Sequence, residues 1–98
     1  GTNLGIGATS LYNGTLTSGS ITFNYGNYNF YVIIGRPSST ASRTSLVVPR
    51  ILLTTSAVSF QIADESNYKA FNLSYSGSTV TLAMGNGAGQ INRVFGIN

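Results

Sequence analysis

The chain contains no cysteine, no histidine and no tryptophan, and very little charge. Without cysteine there are no disulfides and no thiolate-held zinc or iron–sulfur sites. This rules out the stapled secreted class but does not assign a compartment. Without histidine the chain loses the commonest metal ligand and the usual base near neutral pH. Charged residues make up 7% of the 98 residues, against roughly 25% in ordinary globular chains. Arg36, Arg43, Arg50, Lys69 and Arg93 face only Asp64 and Glu65. The net charge of +3 therefore comes from a scarcity of acids. The basic residues are scattered, with no run or stripe, so no nucleic-acid partner is expected. No apolar run reaches transmembrane length, and no membrane insertion is expected. No basic region followed by an apolar block stands at the N-terminus, so no signal peptide is read there.

The polar surface must then come from Ser, Thr, Asn and Gly. Such a surface is neutral and rich in hydrogen-bonding groups. The length suits one domain. A chain this short buries only about 60–65% of its unfolded surface, so its core must be efficient or shared with a neighbour.

Helix signals are nearly absent, while Thr, Val and Ile favour strands. Leu11 and Tyr12 precede Asn13-Gly14, the strongest short turn signal. Leu16 leads to Ser18-Gly19, and Ile21–Phe23 resumes apolar alternation. Tyr25-Gly26-Asn27 marks a second turn. Phe30–Ile34 is a continuous apolar run, which predicts a central strand with little solvent on either face. Ser38–Ser42 is a polar loop. Leu46–Val48 ends at Pro49, which marks a strand end, an edge or a bulge. Ile51–Leu53 reads as a further short strand. Val58, Phe60 and Ile62 alternate with polar neighbours. Phe71, Leu73 and Tyr75 do the same, and Ser76-Gly77-Ser78 turns them into Val80, Leu82 and Met84. Gly85–Gly89 reads as a flexible loop, and Ile91–Ile97 as a final strand. About eight short strands predict an all-β, jelly-roll-like antiparallel β-sandwich over residues 10–98. Residues 1–9 read as an arm.

Few residues carry chemistry. Asp64 and Glu65 are adjacent, have no partner base, and match neither a paired-carboxylate site nor a calcium loop. They read as a solvated turn. Gly85–Gly89 lacks the ending of a phosphate cradle. No catalysis, cofactor or metal is expected. Six tyrosines are many for this length. Tyr25 and Tyr28 sit among Asn24, Asn27 and Asn29, a chemistry that suits sugar hydroxyls. The same tyrosines can equally cap the sandwich or line a subunit contact, and that plainer account is preferred. Arg36 and Arg43 flank the Pro37–Ser42 loop and either brace it or meet an anionic group. If the chain binds a ligand, the candidates are Tyr25, Asn27, Tyr28, Arg36 and Arg43. Arg93 is read as sharing a strand face with Ile91 and Phe95.

Leu11-Tyr12-Asn13-Gly14, Ser18–Phe23 and Tyr28–Arg36 together resemble the opening of small C-terminal β domains on tailed-bacteriophage tail fibres, baseplates and receptor-binding proteins. Ile91–Ile97 is similar to their closing strand, and Leu46–Leu53 to their central strand pair. The resemblance implies a homotrimer at a tail tip or fibre, in contact with other virion tail proteins and exposed to the extracellular medium. It also implies adhesion to a host cell-surface glycan or wall polymer. Residues 1–9 would then join an upstream shaft, and the chain would be an excised tip domain. Two further functions stay open. One is a structural virion module, acting as fibre terminator, trimerisation or capsid-decoration domain. The other is a carbohydrate-binding module of a bacterial enzyme.

Overall fold

The computed structural model describes residues 7–98. Eight strands run in chain order: β1 (Ala8–Leu16), β2 (Ser20–Asn24), β3 (Phe30–Arg36), β4 (Thr44–Pro49), β5 (Val58–Ala63), β6 (Tyr68–Ser76), β7 (Thr79–Gly87) and β8 (Gln90–Ile97). They form two four-stranded antiparallel sheets. Sheet A has the order β1-β8-β3-β4 and sheet B the order β2-β7-β6-β5. The pairing of β1 with β8 in one sheet and β2 with β7 in the other gives the wrapped, jelly-roll-like topology. Inside that wrap, β3 and β4 stay paired, and β5, β6 and β7 form a meander.

Alternation along the strands builds the core. Tyr31, Ile33, Val48, Ile91 and Val94 from sheet A meet Phe23, Ile62, Phe71, Leu73, Val80 and Leu82 from sheet B. Each such side chain gains roughly 1.5–3 kcal/mol from burial. The predicted alternation in β5, β6 and β7 is observed. Gly77, at φ +59°, turns β6 into β7. Pro49 is the last residue of β4, the edge strand of sheet A. Asp64 and Glu65 lie in the β5–β6 turn, exposed. Asp64 Oδ1 accepts the amides of Ser66 and Asn67 at 2.8 and 2.7 Å. Those bonds hold the Asp64 carboxyl below the usual range.

The structure corrects several sequence expectations. Asn13-Gly14 is no hairpin turn. It lies inside β1, where the register with β8 shifts between Asn13 and Leu16. The chain leaves β1 through Thr17–Gly19 and crosses to the other sheet, so no two-strand hairpin forms here. Ile51–Leu53 is no strand either. Residues Arg50–Leu52 make one 3-10 turn that links the sheets, and Ile51 is 89% exposed. Gly85–Gly87 belong to β7, which leaves a shorter loop than expected. The arm falls largely on residues 1–6, outside the described residues, and β1 begins at Ala8. β3 is central, as expected. However, only its Tyr31, Ile33 and Gly35 face is sealed, while Phe30 on the other face is 43% exposed.

Candidate functional site

The outer faces of the two sheets differ in chemistry. On sheet B, Ser20, Thr22 and Asn24 of β2 pair with Ala83, Thr81 and Thr79 of β7. Next to them lie Asn72, Ser74 and Ser76 of β6, then Ser59 and Gln61 of β5. That face is small, neutral and polar, as a solvated sandwich face should be. Sheet A breaks the rule. Phe30 pairs with Ile97 on one side and Pro49 on the other. In the next row Val32 lies between Phe95 and Val47. None of these side chains belongs to the core cluster, and Val47 is 55% exposed.

Beyond these two apolar rows the face changes character. Ile34 pairs with Arg93, and Arg93 with Asn13. Here the register of β8 shifts against both neighbours. Arg93 pairs with Ile34 and Ile91 with Gly35, which leaves Asn92 as an extra residue. β1 bulges at the same level. Bulges re-aim side chains, and this pair opens a pocket of about 270 Å³. Bulged Asn13, Gly14 and Thr15 form one wall. Asn92 and Arg93 form another, and Ile34 and Arg43 complete it.

Asn92 is 5% exposed. Its Nδ2 donates to Gln90 Oε1 at 2.7 Å and to the Gly14 carbonyl at 3.3 Å. Its Oδ1 has no hydrogen-bond partner, and neither does Arg93 Nε. The Arg93 guanidinium lies 4.5 Å from the Phe95 ring centroid. The extra residue at Asn92 corrects the expected placement of Arg93. Arg93 shares the outer face with Phe95, while Ile91 turns into the core.

Comparison with protein-family models, with curated proteins and with solved structures finds no match. The site must therefore be read from its own geometry.

The five residues singled out in the sequence fall into two groups. Tyr25, Asn27 and Tyr28 lie in the β2–β3 connection, while Arg36 and Arg43 lie at the far end of β3. A strand of this length separates them by roughly 20 Å. Asn27 is exposed in its turn. Tyr25 stacks on Tyr75 at 4.7 Å, with the Arg50 guanidinium 5.7 Å from its ring. Tyr28 stands edge-on to Tyr31 at 6.0 Å. Their rings pack against the core at one end of the sandwich. Arg36 donates to the Ser39 carbonyl at 3.3 Å and braces the loop. Arg43 alone of the five lines the pocket.

Sequence reasoning missed Asn13 and Asn92 and left Arg93 without a role. One signal was present. Two adjacent polar residues, Asn92 and Arg93, interrupt an apolar strand and mark an irregularity. Among the described residues no three His, Cys, Asp or Glu side chains gather as a metal site. No helix among them is long and apolar enough to cross a membrane.

The tyrosine cluster has a measurable pH signature. Tyr31 is fully buried and donates its hydroxyl to the Tyr25 carbonyl at 2.6 Å. Burial pushes its phenol up to about 12, helped by Tyr25 and Tyr28 and opposed by Arg50. An unfolded tyrosine loses its proton near pH 10. The contribution is therefore complete below about pH 10 and fades as pH rises toward about 12. Denaturant unfolding across this window is expected to show a loss on the order of 2 kcal/mol that Tyr31→Phe lacks. Parallel pH curves for the two proteins would show that Tyr31 does not cause the loss.

Proposed function

We propose that this chain is a non-catalytic tail-tip or fibre domain of a tailed bacteriophage, assembled as a homotrimer and adhering to a saccharide or wall polymer on the host surface. The observation that supports this reading best is the contrast between the two outer faces. Among the described residues, exposed Phe30 and Val47, with half-buried Phe95 and Ile97 beside them, leave apolar area uncovered on one sheet. A second copy of the chain is the occupant that fits. The molecule is a slab of 38 × 33 × 20 Å. One broad face offers roughly 1,000 Å², and a stable interface needs about 800 Å² per partner. Around a threefold axis each copy would present this face inward. The Ser, Thr and Asn face of sheet B would point outward, where neutral hydrogen-bonding groups suit hydroxyl-rich polymers. A threefold assembly also repeats a weak site three times and gains avidity.

The same apolar face also fits a purely structural virion module, which would assemble without holding a host ligand. One paired experiment separates the readings. The mass of the protein at micromolar concentration is measured in solution, and the labelled protein is applied to intact bacterial cells and to a glycan array. The adhesion reading expects three chains and binding to cells or glycans. A trimer that binds neither supports the structural module. A monomer that binds removes the avidity argument.

A further inference from the structure

We infer that the double-bulge pocket on sheet A is an oxyanion site, which takes one small unit carrying a carboxylate or a phosphate. The inference rests on the adhesion reading only for where such a unit would come from: an acidic saccharide or a polyol-phosphate polymer.

Three observations carry it. First, Arg43 and Arg93 both line a cavity of about 270 Å³. That lies just below the roughly 300–1,000 Å³ of ordinary small-molecule sites, so it suits a single unit rather than a length of chain. Second, this cationic pair has no counter-charge on its own sheet. The only acids, Asp64 and Glu65, lie in the β5–β6 turn of sheet B. Guanidinium groups favour carboxylate and phosphate because their donors match the spacing of two oxygens. Third, the pocket wall is fixed. Asn92 Nδ2 donates to Gln90 Oε1 and to the Gly14 carbonyl, so the β8 bulge that carries Arg93 is tied to the β1 bulge opposite it. Together the two guanidinium groups and this polar wall specify an oxyanion on one small unit. Exposed Asn13, beside Arg93 in the register, offers a further polar contact.

The pocket lies one row beyond the apolar strip, so it would stand at the rim of an assembly built on that strip. Binding and assembly are therefore separable. The test is an NMR titration of the intact isotope-labelled protein with glucuronate, glycerol phosphate and glucose. Glucuronate or glycerol phosphate is expected to shift the amides of Asn13, Asn92 and Arg93, with glucose causing no such shift. The two anions distinguish the carboxylate source from the phosphate source. R43A/R93A is expected to weaken the response by on the order of 10- to 100-fold while keeping the fold and the assembled mass. Asn92→Ala is expected to weaken it less. Equal response to glucose, or an unchanged response in folded R43A/R93A, would overturn the inference. Loss of assembly in R43A/R93A would overturn it too, because the arginines would then be receiving the Asp64–Glu65 turn of a neighbouring copy. Cell binding that persists without any response to either anion would defeat the pocket and leave the adhesion reading standing.

Discussion

On the proposed assembly, exchanging Phe30 and Val47 for lysine is expected to leave monomers in place of trimers. The two side chains are 43% and 55% exposed in the single chain. Covering that remaining area at an interface is worth roughly 2 kcal/mol for each. Two lysines remove this gain and add charges that an apolar contact must desolvate. The equilibrium for adding one subunit should shift by on the order of 1,000-fold or more. The fold should weaken by about 1–3 kcal/mol at each position, where part of the side chain is already buried, with the lysine stems recovering some of that contact. Val47 also lies on edge strand β4, where lysine is a natural guard against pairing. Sedimentation of F30K/V47K beside the unchanged protein checks the mass, and denaturant unfolding checks the fold. A folded variant of unchanged mass would show that assembly uses another surface. The monomer should still answer glucuronate or glycerol phosphate at the bulge pocket, because Arg43, Asn92 and Arg93 all come from its own chain.

The fold was largely legible in the sequence because period-2 alternation records which side of a sheet a residue faces. Val58, Phe60 and Ile62, or Val80, Leu82 and Met84, need no tertiary information to be read as strand faces. The site was poorly legible because it depends on where alternation fails. A bulge inserts one residue and reverses the facing of everything after it. Strict alternation put Ile91 and Arg93 on one face, and the extra residue at Asn92 separates them. Asn13-Gly14 is a turn signal by local preference, but its pairing with β8 overrode that preference and kept the strand going. The apolar strip was hidden for another reason. Phe30, Val32 and Ile34 alternate with Tyr31 and Ile33, so both faces of β3 look buried from sequence alone. Only the partner strands show that one face meets sheet B and that the other meets nothing among the described residues.

Gly96→Ala is expected to destabilise the fold strongly. Alanine normally improves on glycine in a strand interior by roughly 0.5–1 kcal/mol, and here the sign reverses. Gly96 lies in β8 between Thr9 of β1 and Tyr31 of β3. The Tyr28 ring lies flat over it. An added methyl carbon would stand 2.5 Å from Tyr28 Cγ and 2.6 Å from both Cδ atoms. The ring must therefore leave. It then gives up its burial and its edge contact with Tyr31, an aromatic pair worth roughly 0.5–1.5 kcal/mol beyond area. A total cost of about 2–4 kcal/mol follows, or a fall in Tm of roughly 10–25 °C for a domain of this size. The decisive measurement is a double-mutant cycle with Tyr28→Ala. Once the ring is gone, the added methyl meets open space and G96A should cost less than about 0.5 kcal/mol. Additive losses would show that the two positions do not act on each other. The cycle also bears on the ligand. A ring strongly coupled to Gly96 is committed to closing the sandwich and cannot swing out to stack on a sugar. A ring without that coupling is available, and the β2–β3 turn would again compete with the bulge pocket as the proposed ligand site.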